Sequence, residues 1–200
     1  MDSIIKNSTE IEKKYLVSYL PERFYAYDHT ELEQAYISFG DGDEPEKRVR
    51  LMRTGVSERY FYTEKSDGTL SRNEYELEIT KKEYRSLCAS VRSKFVKKAR
   101  YYIPVRRGEL MAELDVYHGE LTGLVTVEVE FPTLNEAEDF APPSWFGKDI
   151  TEDKRYKNNL NKNNELAKKR VCVIFSSQIS VFIFRFYYFQ AFGRFCLFVF

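Results

Sequence analysis

Cysteine is scarce in this chain of 200 residues: there are three, and two of them, Cys172 and Cys196, fall in the last thirty. The first 170 residues contain only Cys88, so no disulfide can form within them and a reducing, cytoplasmic setting is the expectation. An excess of charge is missing too, because 31 Lys and Arg balance 31 Asp and Glu. That removes the broad basic footprint of a nucleic-acid coat, so no nucleic-acid partner is expected. A hydrophobic content of 43% excludes a disordered chain. The start, Met1-Asp2-Ser3-Ile4-Ile5-Lys6-Asn7, lacks the basic residues and continuous apolar region of a secretory leader. No internal repeat interrupts residues 1–170, which read as one domain of ordinary size.

Residues 171–200 differ in kind, holding nine of the sixteen Phe. Arg185 and Arg194 split this stretch into uncharged runs of 14, 8 and 6, short of the roughly 20 residues that a bilayer-spanning helix needs. A membrane partner is therefore not expected. The composition reads foremost as an aggregation-prone addition without function, such as an altered reading frame produces. A carboxy-terminal anchor flanked by Lys168, Lys169 and Arg170, or a packed extension, stays open beside it.

Residues 1–170 contain β-like runs at 9–19, 33–39, 46–54, 58–65, 72–79, 95–105, 109–117 and 123–131. Asp67-Gly68, Arg107-Gly108 and His118-Gly119 mark hairpins. Thr80-Lys81-Lys82-Glu83 and Thr133-Leu134-Asn135-Glu136 have the spacing of capping boxes and predict short helices after each Thr. A third helix is predicted after Thr151.

Side chains alternate faces along a strand, so charges two residues apart share a face. Glu10, Glu12 and Lys14 do so; likewise Arg48 with Arg50, Arg72 with Glu74, Glu76 and Glu78, Lys98 with Arg100, Glu113 with Asp115, and Glu128 with Glu130. One such face is an ordinary solvated surface. Repeated sets of one sign repel unless opposite charge, metal or ligand lies between them. A closed barrel with a charged interior satisfies this: basic walls hold phosphate, and acidic walls hold hard divalent cations such as Mg²⁺ or Mn²⁺. No covalent nucleophile is evident, since Cys88 reads as core filler within a helix. His29 and His118 read as loop residues without metal-ligand spacing, and Trp145 as a seal on the barrel edge.

These motifs resemble the CYTH domain, or triphosphate tunnel metalloenzymes. Glu10-Ile11-Glu12-Lys13-Lys14 resembles its E-x-E-x-K signature, Arg48-Val49-Arg50 its R-x-R strand, and Thr63-Glu64-Lys65 its T-x-K element. Arg72-Asn73-Glu74-Tyr75-Glu76, Lys98-Ala99-Arg100-Tyr101, Glu113-Leu114-Asp115, Glu128-Val129-Glu130 and Asp153-Lys154-Arg155-Tyr156 follow in the family order. The resemblance implies an α+β fold, an eight-stranded antiparallel closed β-barrel with a few flanking helices. It implies metal-dependent hydrolysis of a triphosphate, inorganic tripolyphosphate first. Thiamine triphosphate hydrolysis, adenylate cyclase chemistry and a non-catalytic polyphosphate- or nucleotide-binding module are the alternatives. Carried over, Lys14, Arg48, Arg50, Lys65, Lys98 and Arg100 are catalytic and contact phosphate, with Arg72, Lys154 and Arg155 as further substrate contacts. Glu10, Glu12, Asp115, Glu128 and Glu130 are the implied metal ligands, and Glu74, Glu76 and Glu78 either bind metal or orient the basic residues.

Overall fold

Alternating charged and apolar positions need two different environments, and a barrel supplies both. The computed structural model describes residues 5–40, 44–153 and 156. Its strands are β1 (Ile5–Val17), β2 (His29–Phe39), β3 (Glu46–Thr54), β4 (Ser57–Lys65), β5 (Ser71–Ile79), β6 (Val96–Val105), β7 (Leu110–His118), β8 (Val125–Glu130) and β9 (Phe146–Asp149). The sheet order is β5-β4-β3-β2-β6-β7-β8-β1-β9, and a β5–β1 pairing closes the first eight into an antiparallel barrel. β1 makes the closure because it is long. Its residues 5–11 pair with β5 and 12–16 with β8, while β9 pairs beside Tyr15 and Val17.

The apolar alternates point outward and form the core under the flanking elements. Tyr15, Val17, Leu114, Val127 and Val129 pack with Phe140, Trp145 and Phe146 on one side of the barrel. On another, Ala35, Val49, Leu51 and Tyr60 pack with Tyr84 of helix α1 (Lys81–Cys88). Burial of a side chain the size of Tyr84 stabilises by about 1.5–3 kcal/mol. Thr80 starts α1 with a complete capping box to Glu83, and Thr133 accepts from the Glu136 amide at the start of α2 (Leu134–Glu138). The hairpin glycines Gly68, Gly108 and Gly119 all have positive φ, as their turns require.

Two expectations change. β9 adds a ninth strand at residues 146–149, and His29 and His118 are strand ends rather than loop residues. His29 pairs with Tyr101 across the β2–β6 ladder, and its ring stacks on Tyr101 at 5.1 Å between centroids. Trp145 is buried against Phe146, in keeping with its reading as a seal. Cys88 is half-buried at the end of α1 against the Tyr84 cluster. The predicted third helix, Lys154, Arg155 and the 171–200 tail lie outside the described residues.

Candidate active site

A cavity of about 270 Å³ runs inside the barrel. Every strand from β1 to β8 contributes at least one polar side chain to its lining, and the chain after β9 adds Ile150, Thr151, Asp153 and Tyr156. Among the described residues nine carboxylates and seven cationic side chains line the lumen. A polyanion entering alone would meet an excess of negative charge, so it needs accompanying cations.

The acidic face is built on β1 and β8. Glu12 and Glu130 are cross-strand partners, and Glu10 lies one step along the same face of β1. Oxygens of Glu10, Glu12 and Glu130 lie within 4.8 Å of one another. Burial pushes the Glu12 carboxyl up to about 8, and the nearby Glu128 and Glu10 carboxylates add to the rise. Burial acts on Glu10 in the same sense, yet the Lys65 ammonium and the Arg72 guanidinium outweigh it and hold Glu10 at about 2. An all-carboxylate set with mutual repulsion suits a hard divalent ion, which would replace the proton on Glu12 and relieve the repulsion.

The basic residues form a lattice with the remaining acids. Lys65 donates to both Glu10 oxygens at 2.9 and 2.6 Å and stands 3.3 Å from Glu74. Arg72 Nε donates to Glu10 at 3.0 Å, and Arg50 Nη2 to Glu76 at 2.5 Å. Arg48 reaches Glu74 at 3.5 Å. Lys14 donates to Glu128 at 2.6 Å, and Arg100 reaches the other Glu128 oxygen at 2.5 Å. Lys98 and Arg100 both donate to Asp115, and Arg100 also donates to Glu113. Burial together with neighbouring Arg100 lowers the Lys98 ammonium to about 8.

The lumen therefore collects Lys14, Arg48, Arg50, Lys65, Arg72, Lys98 and Arg100, together with Glu10, Glu12, Glu128 and Glu130. It gathers Glu10, Glu12 and Glu130 around one point and engages Glu128 and Asp115 with cations instead. Glu78 pairs with Arg59 in an exposed ion pair and is not among the lining residues. Sequence reasoning passed over Glu46, Gln34 and Tyr36, which also line the cavity. Their signal was present: Glu46 has the parity of Arg48 and Arg50, and Gln34, Tyr36 and Ser38 alternate with Ala35, Ile37 and Phe39. Gln34 donates to the Tyr36 hydroxyl at 3.0 Å in the buried interior.

A closed eight-stranded antiparallel barrel lined with alternating basic and acidic walls defines the triphosphate tunnel, or CYTH, class. No family model matches the chain. It is 42% identical over 151 residues to an inorganic triphosphatase of Nitrosomonas europaea, covering 75% of this chain and 94% of that protein. It is 36% identical over 156 residues to an inorganic triphosphatase of Acetivibrio thermocellus, covering 77% and 94%. The crystal structure of the inorganic triphosphatase NE1496 superposes with a TM-score of 0.54 at 38% identity, over 76% of this chain and 93% of that one. The chain belongs to the inorganic triphosphatase family.

Proposed function

We propose that this protein hydrolyses inorganic tripolyphosphate inside its barrel, with Mg²⁺ or Mn²⁺ as cofactor, in the cytoplasm. The observation that carries the reading is a pair of unmet donors. Among the described residues, Arg48 Nε and Arg50 Nε are buried without a hydrogen-bond partner, and both residues line the lumen. Leaving a buried donor unpaired costs about 1–3 kcal/mol, which an anion between them would recover. The names of the two relatives supply the substrate.

Glu10, Glu12 and Glu130 would hold the ion, which when bound neutralises and polarises phosphoryl oxygens. Arg48, Arg50 and Arg100 grip the phosphate oxygens in forked geometry, while Lys14, Lys65 and Lys98 act as compact charges on the phosphate that leaves. Arg72 holds Glu10 and bounds the acidic face. The enclosed lumen keeps bulk water from the chain of phosphates, and a carboxylate of the acidic wall aligns one water in line with the bond that breaks. Catalysis here is positioning and charge stabilisation, with no covalent intermediate.

Asp115 and Glu128, fastened to cations, support the site through those cations. Lys154 and Arg155 are proposed substrate contacts on their motif. A non-catalytic anion binder is disfavoured because it gains nothing from nine lining carboxylates. Phosphate release from tripolyphosphate, thiamine triphosphate and ATP, each with Mg²⁺, Mn²⁺ or EDTA, tests the reading. EDTA-sensitive release greatest from tripolyphosphate is expected, and binding of all three without release would overturn it.

A further inference from the structure

Asp115 is fully buried at the middle of β7, outside the lining of the cavity, and makes no group with the Glu10–Glu12–Glu130 cluster. Its cross-strand partner on β6 is Arg100. The two meet as a fork: Arg100 Nε donates to Oδ1 and Arg100 Nη2 to Oδ2, each at 2.7 Å. Lys98 Nζ donates to Oδ2 as well. Three charge-assisted hydrogen bonds use most of the acceptor capacity of the carboxylate. Full burial removes the rest from any ion in the lumen.

Lys98 and Arg100 are like charges two residues apart on one strand face, the first buried and the second half-buried, and nothing in β6 itself holds them together. Of these two cations, Glu113 and Glu128 form ion pairs with Arg100 and not with Lys98. Asp115 is the one carboxylate among the described residues in ion-pair contact with Lys98, and it clamps both side chains at once. We propose that Asp115 is a positioning residue that fixes Lys98 and Arg100 as a preset double claw for one phosphate of the substrate, and that it is not a metal ligand. Taking tripolyphosphate as that substrate, the inference rests on the functional reading above. The arrangement resembles an outer-shell carboxylate orienting a ligand, where substitution costs about 10–100-fold.

The test uses the full chain with the Asp115→Asn substitution, which keeps shape and removes charge. Calorimetry with Mn²⁺ alone on substrate-free protein is expected to give unchanged affinity, whereas Glu130→Gln weakens it. The kcat/KM for tripolyphosphate with Mn²⁺ is expected to fall about 10–100-fold, corrected for the folded fraction. Combining Asp115→Asn with Lys98→Met should cost no more than the larger single effect, because both act through one claw. Loss of Mn²⁺ affinity matching Glu130→Gln, additive losses in the pair, or unaltered kinetics in folded Asp115→Asn would each overturn the proposal. Should Asp115→Asn not fold, the Lys98→Met/Asp115→Asn chain, which removes the charges as a pair, takes the same readings against Lys98→Met. If the unsubstituted protein releases no phosphate, the functional reading fails, and calorimetry with Mn²⁺ and with tripolyphosphate still decides the role of Asp115.

Discussion

Lys14 and Glu128 face each other across the β1–β8 ladder, and the ammonium donates to the carboxylate at 2.6 Å. The pair joins the strand that closes the barrel to the strand that carries the acidic face. Both side chains are nearly out of solvent. Burial by itself would raise Glu128, yet Lys14 and Arg100 hold it well below the ordinary carboxylate range.

Lys14→Met should therefore destabilise by about 3–5 kcal/mol, because it strips a buried carboxylate of a partner. Adding Glu128→Gln should return much of that loss. Urea unfolding of both variants measures it, and equal stability of the single and double variants would contradict the coupling.

Glu12 predicts a pH dependence of stability without metal. Its folded-state value, pushed from 4.5 to about 8, means that between those pH values the folded chain keeps a proton that the unfolded chain has released. Stability in EDTA should then fall as pH rises from 4.5 toward 8 and level off above it. Glu12→Gln should flatten this slope, and Mn²⁺ should restore stability at pH 8. Denaturation midpoints at pH 5, 7 and 9 supply the measurement.

Strand parity separates neighbours in sequence. Glu12 lines the lumen, whereas Lys13 lines an outer groove with Lys148 and Asp149. Glu12→Gln should lower metal-dependent turnover by about 10²–10³-fold. Lys13→Ala should stay near the unsubstituted rate, and comparable losses would argue against the face assignment.

Gly147 lets β9 lie against β1. A Cβ there would stand 2.9 Å from the Leu16 carbonyl oxygen and 2.9 Å from the Ser18 hydroxyl oxygen. Gly147→Ala should cost about 1–3 kcal/mol through overpacking. A lowered melting temperature with intact turnover at low temperature is the expected result.

The relatives match 94% of their own length but only 75–77% of this chain. A chain ending at residue 170 should keep its turnover and gain solubility over the full chain. Sedimentation of both proteins after expression provides the comparison, and identical behaviour would remove the aggregation reading of 171–200.

Much of the barrel was legible because each wall repeats one rule. The runs at 46–54, 58–65 and 72–79 fall within one residue of β3, β4 and β5: charge and apolar bulk alternate over 48–51 and 74–79, and Tyr60-Phe61-Tyr62 gives the middle run its β-favouring aromatics. β9 was not legible: Phe-Gly-Lys-Asp is four residues long with a glycine at its second position, and its pairing depends on β1 being present. Parity identified which carboxylates share a face with cations, but not which oxygen each cation takes. Glu113 and Asp115 look equivalent in sequence, yet one lines the cavity and the other is sealed behind it. Asp115 is covered by the Lys98 and Arg100 side chains that donate to it, a cross-strand arrangement that a linear pattern does not encode.

The lumen described above is an ion-exchange bed. Its cations already rest on carboxylates, so an arriving polyphosphate takes cations from those acids, and the arriving metal takes the acids in return. Cations paired in this way need few counterions from solution, so counterion release should add little to binding. Substrate affinity should therefore weaken less steeply with added salt than it does for a basic surface patch binding a chain of equal charge.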